Sequence, residues 1–273
     1  RPDDVSLAFL PWAHSFGQTA ELHGMFSAGA SMGLVEDIST ILENLGEVRP
    51  TLLFSVPRVF NRIYDGVHRK LAEGSGIKRS LFSWAFSNSE KVHTAHEAGQ
   101  KPPFPSGMLQ GMFDSIVFSK IKDQFGGRLR LSVSGGAKLN EDVARFLDTL
   151  GIVVLEGYGL TETSPMVSVN LPGERKIGSV GKPVPGVEVE IRDVPEAQHA
   201  PNEGEVCVRG PNIMKGYFKK PDKTRDVLDE VCVGRSGSMW DTLAPVRAMR
   251  PVNGGAGFDR HELERLRRSE EHT

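Results

Sequence analysis

Apolar positions in this chain recur with two periods, and the switches between them divide it into elements. Leu129-Arg130-Leu131-Ser132-Val133 alternates apolar and polar residues, the period of a half-buried strand. Asn140 then offers a helix N-cap; Val143, Phe146, Leu147 and Leu150 follow at helical spacing, and Gly151 closes the helix. Ile152-Val153-Val154-Leu155 is an unbroken apolar run of the buried-strand type. This predicts a strand, a helix and a strand. If the two strands are parallel neighbours, a right-handed crossover brings the segments that follow them to one carboxyl edge, where open α/β sheets bind ligands.

The same reading extends outward. Leu7-Ala8-Phe9-Leu10 predicts a strand, Pro11 a turn and Gly17 the start of a helix, with His14 on the turn. Arg49 to Phe60 reads as a strand entering a helix whose apolar face is Phe60, Ile63, Tyr64, Val67 and Leu71. Residues 72–125 are expected to be mostly helical, broken at Lys101-Pro102-Pro103-Phe104-Pro105 and resumed from about Met108 to Lys122. Its aromatic stripe, Trp84 and Phe86 included, is expected in the core. Val187-Glu188-Val189-Glu190-Ile191 and Glu205-Val206-Cys207-Val208-Arg209 alternate like antiparallel strands. The fold class that follows is α/β: a mostly parallel sheet with flanking helices to about residue 170, then a β-rich portion to about residue 228.

The candidate chemistry lies just beyond the two central strands. The first runs into Ser134-Gly135-Gly136-Ala137-Lys138-Leu139, the second into Gly157-Tyr158-Gly159-Leu160-Thr161-Glu162-Thr163-Ser164-Pro165. Glycines let backbone approach a phosphate, an aromatic ring covers a base, a threonine hydroxyl bonds a phosphate oxygen, and a carboxylate holds Mg²⁺. Taken alone, Gly-Tyr-Gly also reads as a turn-rich surface loop, and Ser-Gly-Gly-Ala as a plain strand-to-helix turn. His93 and His96 have helical spacing beside Glu97 and are expected on a solvated face rather than at a metal.

The nine-residue run resembles the adenine and phosphate loop of the adenylate-forming (AMP-binding) enzymes. The resemblance implies that Gly135, Gly136, Ala137, Gly157, Tyr158, Gly159 and Thr161 contact nucleotide, with Tyr158 against adenine. It further implies that Thr161 and Glu162 serve catalysis and that Glu162 binds magnesium. Trp12-Ala13-His14-Ser15-Phe16-Gly17 is similar to the family's segment beside the carboxylate substrate, so His14 and Phe16 would orient the acid or line its path. Val56-Pro57-Arg58-Val59-Phe60, with the helical insertion after it, looks like the long-chain fatty acid CoA ligases. That branch implies activation of a fatty acid with ATP and Mg²⁺ to an acyl adenylate, followed by transfer to coenzyme A. A fatty-acyl-AMP ligase, an aryl-CoA ligase and a non-catalytic nucleotide-binding remnant are the alternatives.

The resemblance implies that residues 1–228 are part of an adenylation domain, with 72–125 a helical insertion and 171–228 β-rich. No Ser/Thr/Gly-rich loop ending in Lys precedes Trp12, and the match stops after Asp229, before the family's Thr-Gly-Asp and its lysine-bearing domain. Residues 229–273 are therefore expected to be an unmatched tail, frame-shifted or disordered; Arg268-Ser269-Glu270-Glu271-His272-Thr273 reads as translated sequencing adapter. The fragment itself is expected to be inactive. A net charge of −2 over 273 residues gives no reason to expect nucleic acid, and no apolar run reaches the length of a membrane span. Two cysteines, Cys207 and Cys232, outline no disulfide framework, and the expected setting is cytoplasmic, with peripheral membrane contact left open.

Overall fold

The computed structural model describes residues 1–97, 99–192 and 204–228. The expected tail and Cys232 lie outside the described residues. The chain opens with β1 (Val5–Ala8), a π-helical turn (Gly17–His23) running into α1 (Gly24–Ser27), and β2 (Ser31–Leu34). Next come α2 (Ile41–Val48), β3 (Leu52–Ser55) and α3 (Pro57–Glu73), which starts where Pro57 pre-sets the helical φ after extended Val56. The stretch expected to be mostly helical follows as α4 (Gly76–Glu97), α5 (Ser106–Phe113), a π-helical turn and α6 (Ser119–Lys122). Then β4 (Leu131–Ser134), α7 (Glu141–Thr149) and β5 (Val153–Gly159) form the predicted strand, helix and strand. Asn140 caps α7 as expected, its Oδ1 accepting the Asp142 N–H at 2.7 Å. The rest comprises β6 (Met166–Val169), β7 (Lys182–Pro183), β8 (Glu188–Arg192), β9 (Glu205–Arg209) and α8 (Pro221–Val227).

Among the described residues, seven strands form one sheet in the order β2-β1-β3-β4-β5-β6-β7, and β8 pairs with β9 in a separate antiparallel hairpin. β2, β1, β3, β4 and β5 are mutually parallel, whereas β6 and β7 join antiparallel. Parallel register sets Leu53, Ser132 and Val154 in one row. Leu53 and Val154 face the main core with Phe60, Phe118, Phe146 and Leu147, supplied by the helices over that side of the sheet. Phe60, Ile63 and Val67 are buried on α3, with Tyr64 and Leu71 packed beside them, as the helical spacing predicts. A second cluster, Val167, Val187, Val206 and Val208, joins the hairpin to β6.

At the amino edge, Asp4 ties three strands together. Arg130 Nη2 donates to Asp4 Oδ1 and Oδ2 at 2.7 and 2.6 Å, and Thr51 Oγ1 donates to Asp4 Oδ1 at 2.8 Å. Burial opposes ionisation of Asp4, but hydrogen bonds from Arg130, the Arg1 amino group and Thr51 outweigh it and hold the carboxyl well below the usual range.

Three expectations change. Gly157-Tyr158-Gly159 is not loop: it is the end of β5, paired with β6 across a register shift at Tyr158 and Gly159. The hairpin is tight enough that a Cβ on Gly159 would lie 1.7 Å from the Pro165 carbonyl oxygen, so only glycine lets the strand run this far. Trp84 is 53% exposed rather than core, because it lies over the seam of α4 and α5, edge-on to Phe113 at 4.8 Å; Phe86 does pack on the core. His93 is not on a merely solvated face, since its Nδ1 lies 3.0 Å from Asp148 Oδ2 on α7. Cys207 is buried on β9, as its place in the alternating run predicts.

Candidate functional site

Parallel pairing puts the ends of β1, β3, β4 and β5 at one edge, and the residues singled out from the sequence converge there. Ser134 ends β4, and the chain turns so that Gly135 N–H donates to the Ser55 carbonyl oxygen at 3.2 Å. Gly136, at φ +80°, and Ala137 are exposed beyond it. The Phe16 ring covers Gly135, where an added Cβ would meet Cζ at 3.3 Å. His14 is exposed; its Nδ1 accepts the Phe16 N–H at 3.2 Å, which fixes its ring relative to the turn that starts the π-helical segment. The neighbouring Ser15 hydroxyl lies 3.4 Å from Thr161 Oγ1. The β1 turn, the loop after β4 and the turn after β5 thus meet at one exposed edge.

That last turn is Thr161–Thr163, a single 3₁₀ turn between β5 and β6. Thr163 is the buried pin: its Oγ1 accepts the Leu160 N–H at 2.9 Å and donates to the Pro165 carbonyl oxygen at 2.7 Å. With Thr163 facing in, Thr161 is exposed and Glu162 half-buried. Tyr158 is half-buried, its ring packed against the valine cluster of the hairpin, while Gly157 and Gly159 carry the strand backbone on either side.

Sequence reasoning missed two residues that hold this edge. Glu156, nearly buried at the end of the apolar run of β5, accepts the Gly178 N–H at 3.2 Å through Oε1. Burial raises its carboxyl above the usual range, opposed by hydrogen bonds from the Gly178 and Leu139 backbone. It therefore joins the β4 loop to the turn that leads into β7. A carboxylate closing an apolar run immediately before glycine is a signal the sequence does carry. The second is Tyr217, whose hydroxyl donates to Glu162 Oε1 at 2.7 Å. That bond, with burial adding to it, pushes the Tyr217 hydroxyl up to about 12. The two residues are 55 positions apart, and nothing in either local pattern links them.

A concavity of about 290 Å³ lies between α4 and α7; Glu90, His93, Arg145 and Asp148 line it. None of its lining residues is among those that meet at the carboxyl edge.

The arrangement is an exposed, glycine-lined edge at the carboxyl end of a parallel sheet, with the hydroxyl of Thr161 and the carboxylate of Glu162 on one segment and the Phe16 ring and His14 imidazole on another. Such an edge suits a phosphate-bearing ligand with an oxygen-loving cation. Comparisons with known proteins agree with this geometry. The chain is 38% identical over 235 residues to "Long chain acyl-CoA synthetase 7, peroxisomal" of Arabidopsis thaliana, covering 84% of this chain and 32% of that protein. It is 35% identical over 235 residues to "Long-chain-fatty-acid--CoA ligase 1" of Homo sapiens, again covering 84% and 32%. Among solved structures, ATP-bound MatB from Rhodopseudomonas palustris superposes with a TM-score of 0.55 at 26% identity, over 86% of this chain and 37% of that one. The chain thus spans about a third of the length of the curated relatives it matches. The sequence pattern of the AMP-binding enzymes matches residues 1–218, and on that match, over most of its length, the chain belongs to the AMP-binding enzyme family.

Proposed function

We propose that this chain forms part of a long-chain fatty acid CoA ligase and supplies the nucleotide-facing edge of its adenylation site. The observation that carries the reading is the meeting of three segments at one sheet edge: His14 to Phe16, Gly135 to Ala137, and Thr161 to Glu162. The relatives named above point to fatty acid and coenzyme A, and the ATP-bound MatB structure to ATP, as the substrates of the whole protein.

In this reading residues 1–228 are adenylation-domain sequence. A carboxylate is a poor acyl donor, so it first attacks the α-phosphate of ATP, releasing pyrophosphate, and the thiol of coenzyme A then displaces AMP. Charge grows on the α-phosphate oxygens in the first step. Thr161 donates a hydrogen bond to those oxygens, a kind of help worth about 3 kcal/mol per donor. Gly135, Gly136 and Ala137 border the nucleotide with bare backbone, Gly157 and Gly159 shape the strand beside it, and Tyr158 flanks the base. His14 and Phe16 orient the acid and line its approach.

The donor set fits Mg²⁺. Glu162 offers a carboxylate and Thr161 a hydroxyl, both hard oxygen ligands, and among the described residues no trio of His, Cys, Asp or Glu gathers into a metal cage. Few protein ligands are what Mg²⁺ accepts where phosphates supply the rest. Bound there by Glu162, it would neutralise charge on the phosphates. Among the described residues no helix is long and apolar enough to cross a membrane. A cytoplasmic setting, with peripheral contact with a membrane where fatty acid is drawn from one, suits this chemistry.

Equilibrium dialysis of the chain with ATP and with a non-hydrolysable fatty-acyl adenylate mimic tests the reading. Saturable binding of the mimic, competed by ATP, is expected; binding of neither overturns it.

A further inference from the structure

Glu162 is held from two directions by one segment. Its backbone carbonyl accepts the Met214 N–H at 2.8 Å, and its Oε1 accepts the Tyr217 hydroxyl at 2.7 Å. The segment is itself anchored at both ends. Asn212 Nδ2 donates to the carbonyls of Thr163 and Met166 at 2.9 and 2.8 Å, which ties it to the same hairpin that carries Glu162. Gly216, at φ +134°, turns the chain, and Thr224 Oγ1 on α8 accepts the Tyr217 N–H at 2.9 Å while donating to the Lys220 carbonyl at 3.0 Å. Tyr217 therefore reaches Glu162 from a fixed backbone, with a half-buried ring that has little freedom left.

A free glutamate side chain samples several rotamers, and ordering it on a ligand costs about 1 kcal/mol or more. A hydroxyl-to-carboxylate bond of this length is charge-assisted and removes much of that freedom in advance. It occupies Oε1 alone, which leaves Oε2 as the oxygen for a cation. We propose that Tyr217 is a positioning residue for the cation that accompanies the nucleotide: it preorganises Glu162 so that Oε2 is presented to Mg²⁺. This rests on the nucleotide reading of the site given above. Tyr217 touches neither nucleotide nor cation in this scheme, and acts only through Glu162.

The test compares the wild-type chain with Tyr217→Phe and Glu162→Gln. ATP affinity is measured by calorimetry with Mg²⁺ and again with EDTA, and Mn²⁺ binding is followed by electron paramagnetic resonance. Wild type should gain affinity for ATP when Mg²⁺ is present. Tyr217→Phe should keep its affinity in EDTA and lose about 3- to 10-fold of the gain, the cost of ordering one side chain. Mn²⁺ binding should weaken in step, and Glu162→Gln should abolish the gain. A bond that merely fastens the segment to the hairpin would lower the melting temperature and leave the metal-dependent gain intact, and that result overturns the proposal. If the wild type shows no gain at all, Glu162 is not a metal ligand; the site reading fails first and the proposal falls with it. Should Tyr217→Phe melt too early to measure, Thr224→Val removes the acceptor that fixes the Tyr217 backbone while keeping its hydroxyl. The same direction of loss is expected there, and an undiminished gain overturns the proposal.

Discussion

Glu21 lies wholly buried in the π-helical turn after β1, and among the described residues neither of its carboxylate oxygens is hydrogen-bonded. Burial lifts its carboxyl to about 7. The folded state therefore holds a proton that the unfolded chain releases near 4.5, so stability falls as pH rises from about 4.5 to about 7 and levels off above that. Asp4 works in the opposite sense: its folded carboxyl is depressed, so its contribution is present above the unfolded value and lost as pH falls below about 4. Glu156, raised by burial, adds to the trend of Glu21. Glu21→Gln should remove one part of the slope, leaving the variant more stable than wild type at pH 8 and nearly equal at pH 5. Thermal melts followed by circular dichroism at both values check this; parallel melting curves for the two proteins would contradict it. Neither Glu21 nor the Glu162 to Tyr217 bond was legible in the sequence. A charged residue in a helical run reads as solvent-facing, and a hydrogen bond across 55 positions leaves no trace in either local pattern. The nine residues from Gly157 to Pro165 are legible because their chemistry is local: glycine, hydroxyl and carboxylate side by side.

The element that best displays the link from sequence to site is α7. Asn140 caps it, Val143, Phe146, Leu147 and Leu150 seat it on the sheet, and its length sets β5 beside β4 with both loops at one edge. Asn140→Ala should cost about 1 kcal/mol through the lost cap. Leu147→Ala, at a fully buried position, should cost about 3 kcal/mol. Urea titrations of both variants read these values, and equal costs would contradict the division between cap and core. At its far end Asp148, also buried, pairs with His93 on α4 and with Arg175 on the strand-linking segment after β6. Asp148→Asn should destabilise by about 2 kcal/mol by weakening both charge-assisted bonds, read in the same titrations; a neutral effect would mean the pairs contribute nothing net. The periodicity of α7 was readable because one face repeats every three to four residues. Its partners were not: periodicity says which face is apolar, never which helix or side chain meets it. The end of β5 was misread as loop for a related reason. Glycine breaks strands on average, yet at Gly159 it is what lets β5 and β6 approach.

For the molecule as a whole, the class of fold followed from element order alone. A run of strands and helices predicts a parallel sheet, and parallel β1, β3, β4 and β5 open their carboxyl ends on one side. The antiparallel strands β6 and β7 extend the sheet beyond β5, and the hairpin of β8 and β9 packs its valines against Tyr158 and Val167, so the end of β5 is braced by both. The long-range brace through Asn212, Met214 and Tyr217 then ties the β-rich portion to the turn that carries Glu162. The central claim is that three sequence-distant segments form one nucleotide edge. Hydrogen exchange of the chain with and without a fatty-acyl adenylate mimic measures it most directly. The account predicts added protection in all three segments, residues 14–17, 134–139 and 157–165. Protection confined to the concavity around His93 and Asp148, or absent throughout, would contradict it.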